Sequence, residues 1–259
     1  MKIPRIELGT IGKCIYCGRE IEPLRTEHIV PYGLNGPWEL LKATCGDCAK
    51  ITSAFESSVL RDPLIVLRTA LNLPTRRPKE RPKTFPLTIT KGEEQLTIEV
   101  PIHDHLAVMI LPIFAPPAYL DGRPYEEGVT ITGVVRIQVG GPPLKELTKI
   151  YGTRTFSVTA RWHGNCFERM LAKIAYGFAV AFFGINNFEE VYVIPAILGK
   201  KNDVGRWVGC ADDIKLDVGK YLHHIDLSAI NREVIVRVKL FAIFDVPEYL
   251  VVVGRVSQL

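Results

Sequence analysis

Two pairs of cysteines constrain the first part of this chain more than any other feature. Cys14 and Cys17 are separated by two residues, as are Cys45 and Cys48, and 27 residues lie between the pairs. Four thiolates with this spacing are typical of a zinc site. The first residues do not resemble a secretory signal, so zinc is favoured over disulfide bonds. The sequence therefore predicts a structural Zn²⁺ ion bound by these four cysteines.

The segment between the two pairs has the composition of two short strands joined by a glycine-rich loop. Asn35 and Gly36 lie in that loop, and the dipeptide they form is common in tight turns, so we interpret Asn35 as a turn residue. Apolar residues recur every four positions after the second pair, which predicts a helix. The expected elements are strands at 25–30 and 38–43, and a helix at 45–60 with Thr44 as its N-cap.

A zinc ion with four cysteine ligands has no open coordination position, so any chemistry must come from other residues. The candidates are Glu27 and His28, which begin the string Glu-His-Ile-Val-Pro between the cysteine pairs. With Gly33 and Gly36 after it, this string makes the segment resemble the HNH endonuclease family, in the subgroup whose ββα-metal hairpin is held by four cysteines. The likeness covers about 45 residues, under a fifth of the chain.

The resemblance implies a role for each candidate. The residue matching His28 is the general base that activates a water, and the residue matching Glu27 helps to bind Mg²⁺ or Mn²⁺. The two side chains are chemically suited to these roles, because a neutral histidine can accept a proton and a carboxylate is a hard ligand for a divalent ion. The substrate implied is a phosphodiester of DNA, although the hairpin does not by itself distinguish DNA from RNA.

One position departs from the family pattern. Many members have an asparagine or histidine after the fourth cysteine as a metal ligand, but this chain has Ala49. Three interpretations follow: Glu56, two turns along the same helix face, replaces the ligand; a water or substrate oxygen fills the place; or the site is catalytically weak. We favour Glu56 as the replacement ligand.

The positive charge of the chain is concentrated in its first third. Residues 1–85 contain 14 lysines and arginines against 9 acidic residues, whereas residues 86–259 contain 18 against 19. A basic segment beside a candidate phosphodiester site favours DNA as partner. Four basic side chains could contact phosphates or could equally be solvated charges: Lys42, Lys50, Arg61 and Arg68.

The remainder of the chain predicts a second, mixed α+β region. Residues 74–86 contain four prolines and five basic residues, which predicts a linker rather than a central strand. The clearest helix is 166–183, an amphipathic segment with Asn165 and Glu168 as a capping box and Gly184 as its stop. Arg169 and Lys173 on this helix could face a nucleic acid. Strands are expected at 87–89, 95–102, 130–139, 191–197, 234–244 and 249–256.

Together these features predict an α+β protein in three parts. Residues 1–73 form the zinc-bound, HNH-like module, 74–86 the basic linker, and 87–259 an accessory domain for a target, a protein partner or a homo-oligomer. We expect a cytoplasmic protein without a membrane span. The predicted function is a metal-dependent HNH endonuclease acting on DNA. The alternative is a zinc-stabilised nucleic-acid-binding or adaptor protein that does not cleave.

Overall fold

Several small sheets pack around one long helix. The computed structural model describes residues 4–20, 23–124, 127–211 and 220–258. The helices are α1 (Gly46–Arg61), α2 (Ile65–Ala70), α3 (Ala118–Asp121), α4 (Leu144–Tyr151), α5 (Cys166–Phe183), α6 (Ile194–Ile197) and α7 (Val204–Trp207). The strands are β1 (Ile6–Thr10), β2 (Arg25–His28), β3 (Trp38–Thr44), β4 (Thr84–Lys91), β5 (Glu94–Pro101), β6 (Ala107–Phe114), β7 (Ile131–Gly140), β8 (Thr155–Ser157), β9 (Phe188–Val191), β10 (Val208–Cys210), β11 (His223–Ile230), β12 (Glu233–Leu240) and β13 (Tyr249–Val256). The architecture is therefore mixed α+β, as the sequence predicts.

The N-terminal sheet has the order β1-β3-β2, with β2 antiparallel and β1 parallel to β3. The two predicted strands and the predicted helix are present as β2, β3 and α1. Strand β1 was not predicted, because its apolar alternation ends after Ile6-Glu7-Leu8; all five of its residues are exposed. The prediction of Thr44 as N-cap is wrong. Thr44 ends β3, and Cys45 with its extended backbone is the N-cap of α1.

The C-terminal sheet has the order β10-β13-β12-β11, and β9 also pairs with β13. The strand predicted at 191–197 is wrong in most of its length. β9 ends at Val191, and α6 follows from Ile194, because Pro195 lies in the first turn, where its fixed φ suits a helix. The predicted strand at 234–244 ends earlier, at Leu240, and Phe241 has a positive φ of 59° that interrupts it.

The predicted linker and the sheet beyond it overlap. β4 begins at Thr84, so the last three residues of the 74–86 segment are in a strand. β4 is the middle strand of the order β5-β4-β8, but β8 pairs only with Thr88–Thr90. At Pro86 the strand therefore has one neighbour, β5, which leaves room for a residue that cannot donate a hydrogen bond.

Helix α5 has the span predicted and ends before Gly184, whose φ is 77°. The capping box is not formed: the side chain of Asn165 donates to Asn202, and Glu168 is buried. Burial is also not confined to one stripe, because residues 170–177 are all buried. The helix contacts α1 on one side and β12 and β13 on another. Among the described residues, no helix is long and apolar enough to cross a membrane.

Buried His223 on β11 connects the C-terminal sheet to the loop after β2. Its Nε2 donates to the carbonyl oxygen of Leu34 at 2.7 Å, and its Nδ1 accepts from the amide of Phe241 at 3.3 Å. Burial lowers the pKa of His223 to about 4. The ring is therefore neutral in the folded protein at pH 7, with the proton on Nε2.

We expect the His223 contribution to folding to depend on pH. A histidine with a depressed folded pKa stabilises the fold above its unfolded value of about 6.5 and loses that contribution as pH falls towards 4, by about 3 kcal/mol. Urea unfolding gives the free energies of unfolding of the wild type and of His223→Leu at pH 7 and at pH 4. The difference between the two proteins should be smaller at pH 4 by this amount. Comparing the two proteins cancels the titration of other groups. A difference in free energy of unfolding that does not change with pH would contradict the prediction.

Candidate functional site

The four N-terminal cysteines form one cluster. Their sulfur atoms all lie within 4.8 Å of one another, and Cys17 Sγ is 3.7 Å from Cys45 Sγ. Tetrahedral zinc with bonds of about 2.3 Å places its sulfur ligands about 3.8 Å apart. Gly12 and Gly18, with φ of 80° and 73°, permit the turn that carries the first pair. The cluster therefore fits a structural zinc ion.

A pocket of about 650 Å³ lies beside this cluster, between β2, α1 and the chain at 75–82. Three of the residues that line it are the predicted pair Glu27 and His28, and Glu56 from α1. Lys173, which comes from α5, lines the pocket as well. Six arginines are also part of the lining: Arg25, Arg61, Arg68, Arg76, Arg77 and Arg81. The pocket thus combines an acidic pair, a histidine and a basic rim.

Lys173 lies between the two carboxylates. Its Nζ is 2.7 Å from Glu27 Oε1 and 2.9 Å from Glu56 Oε1. It also donates to the carbonyl oxygen of His28, and the carbonyl oxygen of Ile29 is 3.3 Å away. The Lys173 side chain is 2% exposed. The structure therefore brings Glu56 to Glu27, as the favoured interpretation requires, but with an ammonium between them.

This arrangement does not fit a divalent ion. Each carboxylate has one oxygen engaged by Lys173, and Ala49, which also lines the pocket, offers no ligand. Burial acts to lower the pKa of Lys173, but the charges of Glu27 and Glu56 outweigh it and raise that pKa. The lysine is therefore charged at neutral pH, and the residues expected to bind Mg²⁺ or Mn²⁺ instead hold an internal cation.

His28 is neutral and half-buried. Burial lowers its pKa to about 4, and the positive charges of Lys173, Arg5 and Arg76 act in the same direction. Nδ1 lies 3.2 Å from Glu39 Oε1, without the alignment of a hydrogen bond, and Arg5 donates to the same carboxylate oxygen. A carboxylate beside Nδ1 favours the tautomer that is protonated there. Nε2 is then the unprotonated nitrogen available to a ligand.

The structure changes the assignment of several basic residues. Arg68 is buried and donates to three backbone carbonyls rather than presenting its charge to a nucleic acid. Arg169 and Lys173 do not form a nucleic-acid-facing pair, because Lys173 is buried and Arg169 donates to Ile197 and lies over Phe55. Arg61 does line the pocket, and Lys42 and Lys50 do not belong to its lining.

Four arginines of the pocket lining were not identified from the sequence as candidates: Arg25, Arg76, Arg77 and Arg81. Arg25 precedes Glu27 by two residues on β2, and Arg76 lies 5.8 Å from the ring centre of Tyr32. Among the described residues, no carboxylate is within 4 Å of Arg25, Arg61 or Arg76. The sequence signal was only the basic composition of the first third, which does not show which side chains converge.

Asn35 and the histidines at 103, 105, 223 and 224 do not belong to the pocket lining. Asn35 has a left-handed backbone with φ of 64° and ends a short 3-10 helix, which agrees with its interpretation as a turn residue. His105 is buried with Nε2 3.2 Å from the carbonyl oxygen of Pro86, and His223 is the structural residue described above.

Comparison of the chain with models of protein families, with curated proteins and with solved structures finds no match.

Proposed function

We propose that the pocket binds a phosphodiester of a nucleic acid, and that His28 is the general base of an HNH-type endonuclease site with DNA as substrate. The observation that carries this proposal is a neutral histidine in a pocket that is also lined by Arg25, Arg61 and Arg76, none of which has a carboxylate partner in the described chain. A neutral imidazole can accept a proton at pH 7, and a basic rim can hold the phosphate near it.

The rim supports binding of a phosphate in particular. A guanidinium presents two parallel N–H groups that match two phosphate oxygens, and Arg25, Arg61 and Arg76 line the pocket from β2, α1 and the 75–82 segment. Neutralising phosphates with arginine releases counterions, so binding is expected to weaken steeply with salt. The region after residue 86 would select the target or a protein partner.

The chemistry assigned to His28 is water activation. Nε2 takes a proton from a water molecule as the water oxygen bonds to phosphorus. The bond from phosphorus to the leaving sugar oxygen breaks, and that oxygen receives a proton from solvent. Arginine N–H groups stabilise the negative charge that builds on the phosphate oxygens. The zinc ion has no part in these steps, since its role is to hold the fold.

The central test is cleavage of plasmid DNA by zinc-loaded protein, with an RNA substrate measured in parallel. We expect His28→Gln to lower the cleavage rate about 100-fold or more, because a general base contributes on the order of 10² to 10⁴ in rate. His224→Gln, at an exposed position on β11, is the matched control and should cleave as the wild type does. Equal rates for His28→Gln and the wild type would remove His28 from the mechanism.

The pKa of His28 also fixes a pH profile. Only the neutral ring can act as base, and the lowered pKa of about 4 keeps it neutral across the usual range. We expect kcat/KM of the wild type to show no loss attributable to His28 between pH 8 and pH 5, and to fall as pH decreases through about 4. Circular dichroism at each pH verifies that the protein is folded. A loss of activity centred near pH 6.5 would show an unperturbed histidine instead.

A second candidate is a nucleic-acid-binding protein that does not cleave. The observation that favours it is the engagement of Glu27 and Glu56 by Lys173 next to Ala49, which leaves no ligand set for a divalent ion. Such a protein would bind DNA or RNA with salt-sensitive affinity and would leave the strand intact with Mg²⁺, Mn²⁺ or neither. Under either function, Arg76→Ala should weaken binding and reduce its salt dependence.

A further inference from the structure

We propose that Lys173 takes the place of a divalent ion in this pocket: its ammonium is a built-in cation that joins Glu27 to Glu56 and excludes Mg²⁺ and Mn²⁺ from them. This inference goes beyond the proposed function. It holds whether the pocket cleaves a nucleic acid or only binds one, because it concerns which cation the two carboxylates hold.

The geometry of the contact resembles that of a bound cation. Glu27 lies on β2 and Glu56 on α1, and their carboxylates converge on one Nζ at 2.7 and 2.9 Å. The carbonyl oxygens of His28 and Ile29 approach the same atom. The ammonium thus donates to two backbone carbonyls and lies at ion-pair distance from both carboxylates. Each carboxylate therefore has one oxygen that faces this ammonium rather than an added cation.

The backbone holds Lys173 in this position. Its neighbours Ala172 and Ile174 are fully buried in the core, and Phe167, Met170 and Leu171 anchor the preceding turn of α5. Four residues further on, a side-chain carbon at Gly177 would lie 3.4 Å from Ile29, so α5 packs closely on the chain just after His28. A divalent ion would have to displace an ammonium that is 2% exposed and leave it without partners, which is costly.

The internal cation also acts on the neighbouring base. The charge of Lys173 contributes to the lowered pKa of His28, second to burial. It leaves the carboxylate pair with a single net negative charge, which repels a phosphate less than two unpaired carboxylates would. Lys173 is therefore a positioning residue: it fixes Glu27 and Glu56 and helps keep His28 neutral, without touching the substrate.

The test is titration of zinc-loaded protein with Mn²⁺, followed by electron paramagnetic resonance. Lys173→Met keeps most of the buried stem, removes the charge and leaves two facing carboxylates. We expect this variant to bind one Mn²⁺ at least tenfold more tightly than the wild type, and its thermal midpoint to rise with Mn²⁺ while that of the wild type does not. Adding Glu56→Gln to the variant should abolish the Mn²⁺ site. Arg169→Met, one turn earlier on α5, is the matched control and should gain no Mn²⁺ site.

If Lys173→Met does not fold, measurements on the wild type test the same proposal. The wild type should show no Mn²⁺ signal that Glu27→Gln or Glu56→Gln removes, and added Mg²⁺ should not raise its binding or cleavage of DNA. Tight Mn²⁺ binding by the wild type through either glutamate would overturn the proposal, as would a folded Lys173→Met that binds no Mn²⁺. Absence of cleavage would contradict only the nuclease assignment, since the Mn²⁺ titration does not depend on activity.

Discussion

Replacing one cysteine of the N-terminal cluster is expected to remove its metal and to lower the stability of the whole protein. Cys48→Ser should purify with little or no zinc, whereas the wild type and the control Cys166→Ser should each hold one zinc ion per chain. A structural zinc site contributes about 10–16 kcal/mol of apparent binding free energy, which exceeds the total stability of most domains. Zinc content by elemental analysis and thermal unfolding by circular dichroism measure the two effects. A Cys48→Ser variant with wild-type zinc content and midpoint would exclude the cluster as a zinc site.

The loss of stability should extend beyond the cysteines, because the residues between Cys14 and Cys17 belong to the core. Ile15 and Tyr16 are almost completely buried, and Tyr176 on α5 donates to the carbonyl oxygen of Ile15 at 2.6 Å. Without the metal, the turn that carries these two residues loses its anchor, and α5 loses a hydrogen bond in its middle. We therefore expect the loss of zinc to lower the thermal midpoint of the whole protein rather than that of a separate N-terminal segment.

The parts of the fold that the sequence predicted are those whose signals are local. The cysteine spacing identified the cluster, and the alternation of short apolar runs and turn residues identified β2, β3 and α1 within one or two residues. The boundaries of α5 were also predictable, because a long apolar run ends at a glycine. Its environment was not, since periodicity does not show that a helix will be covered on several sides.

The composition of the pocket was predictable only in part. Glu27 and His28 are adjacent in sequence, and Glu56 follows from helical spacing, but Lys173 lies 145 residues from His28. A lysine on a helix is usually solvated, so nothing in its neighbours indicated a buried ion pair. Arg68 was misassigned for the same reason. In both cases the partners are backbone carbonyls or carboxylates that only the folded chain brings within reach.

Removal of the Arg68 side chain is expected to lower the free energy of unfolding more than removal of most other side chains that line the pocket. Its Nε donates to Gly33 O and one terminal nitrogen to Leu60 O, both at 2.8 Å, and the other reaches Pro74 O at 3.1 Å. Burial, with the charges of Arg81 and Arg61, lowers its pKa to about 10, so the guanidinium remains charged at pH 7. One side chain thus connects the loop after β2, the end of α1 and the start of the 74–86 segment.

We expect Arg68→Met to lower the free energy of unfolding by about 3–5 kcal/mol, because one buried and two partly buried carbonyl contacts lose a charged donor at once. Arg61→Met, at an exposed position on the same stretch of chain, is the matched control and should change stability by about 0.5 kcal/mol or less. Urea unfolding measures both. A loss below about 1 kcal/mol for Arg68→Met would show that water replaces the guanidinium at little cost.

The same pair of variants separates structural from direct effects on ligand binding. Arg61 could donate to a phosphate, so Arg61→Met should weaken nucleic-acid binding while leaving the fold unchanged. The donor groups of Arg68 are committed to the chain, and its loss would release the segment that carries Arg76 and Arg77 from the loop beside His28. Arg68→Met should therefore weaken binding through the shape of the pocket, and its affinity should retain the salt dependence of the wild type if the remaining arginines still reach the phosphate.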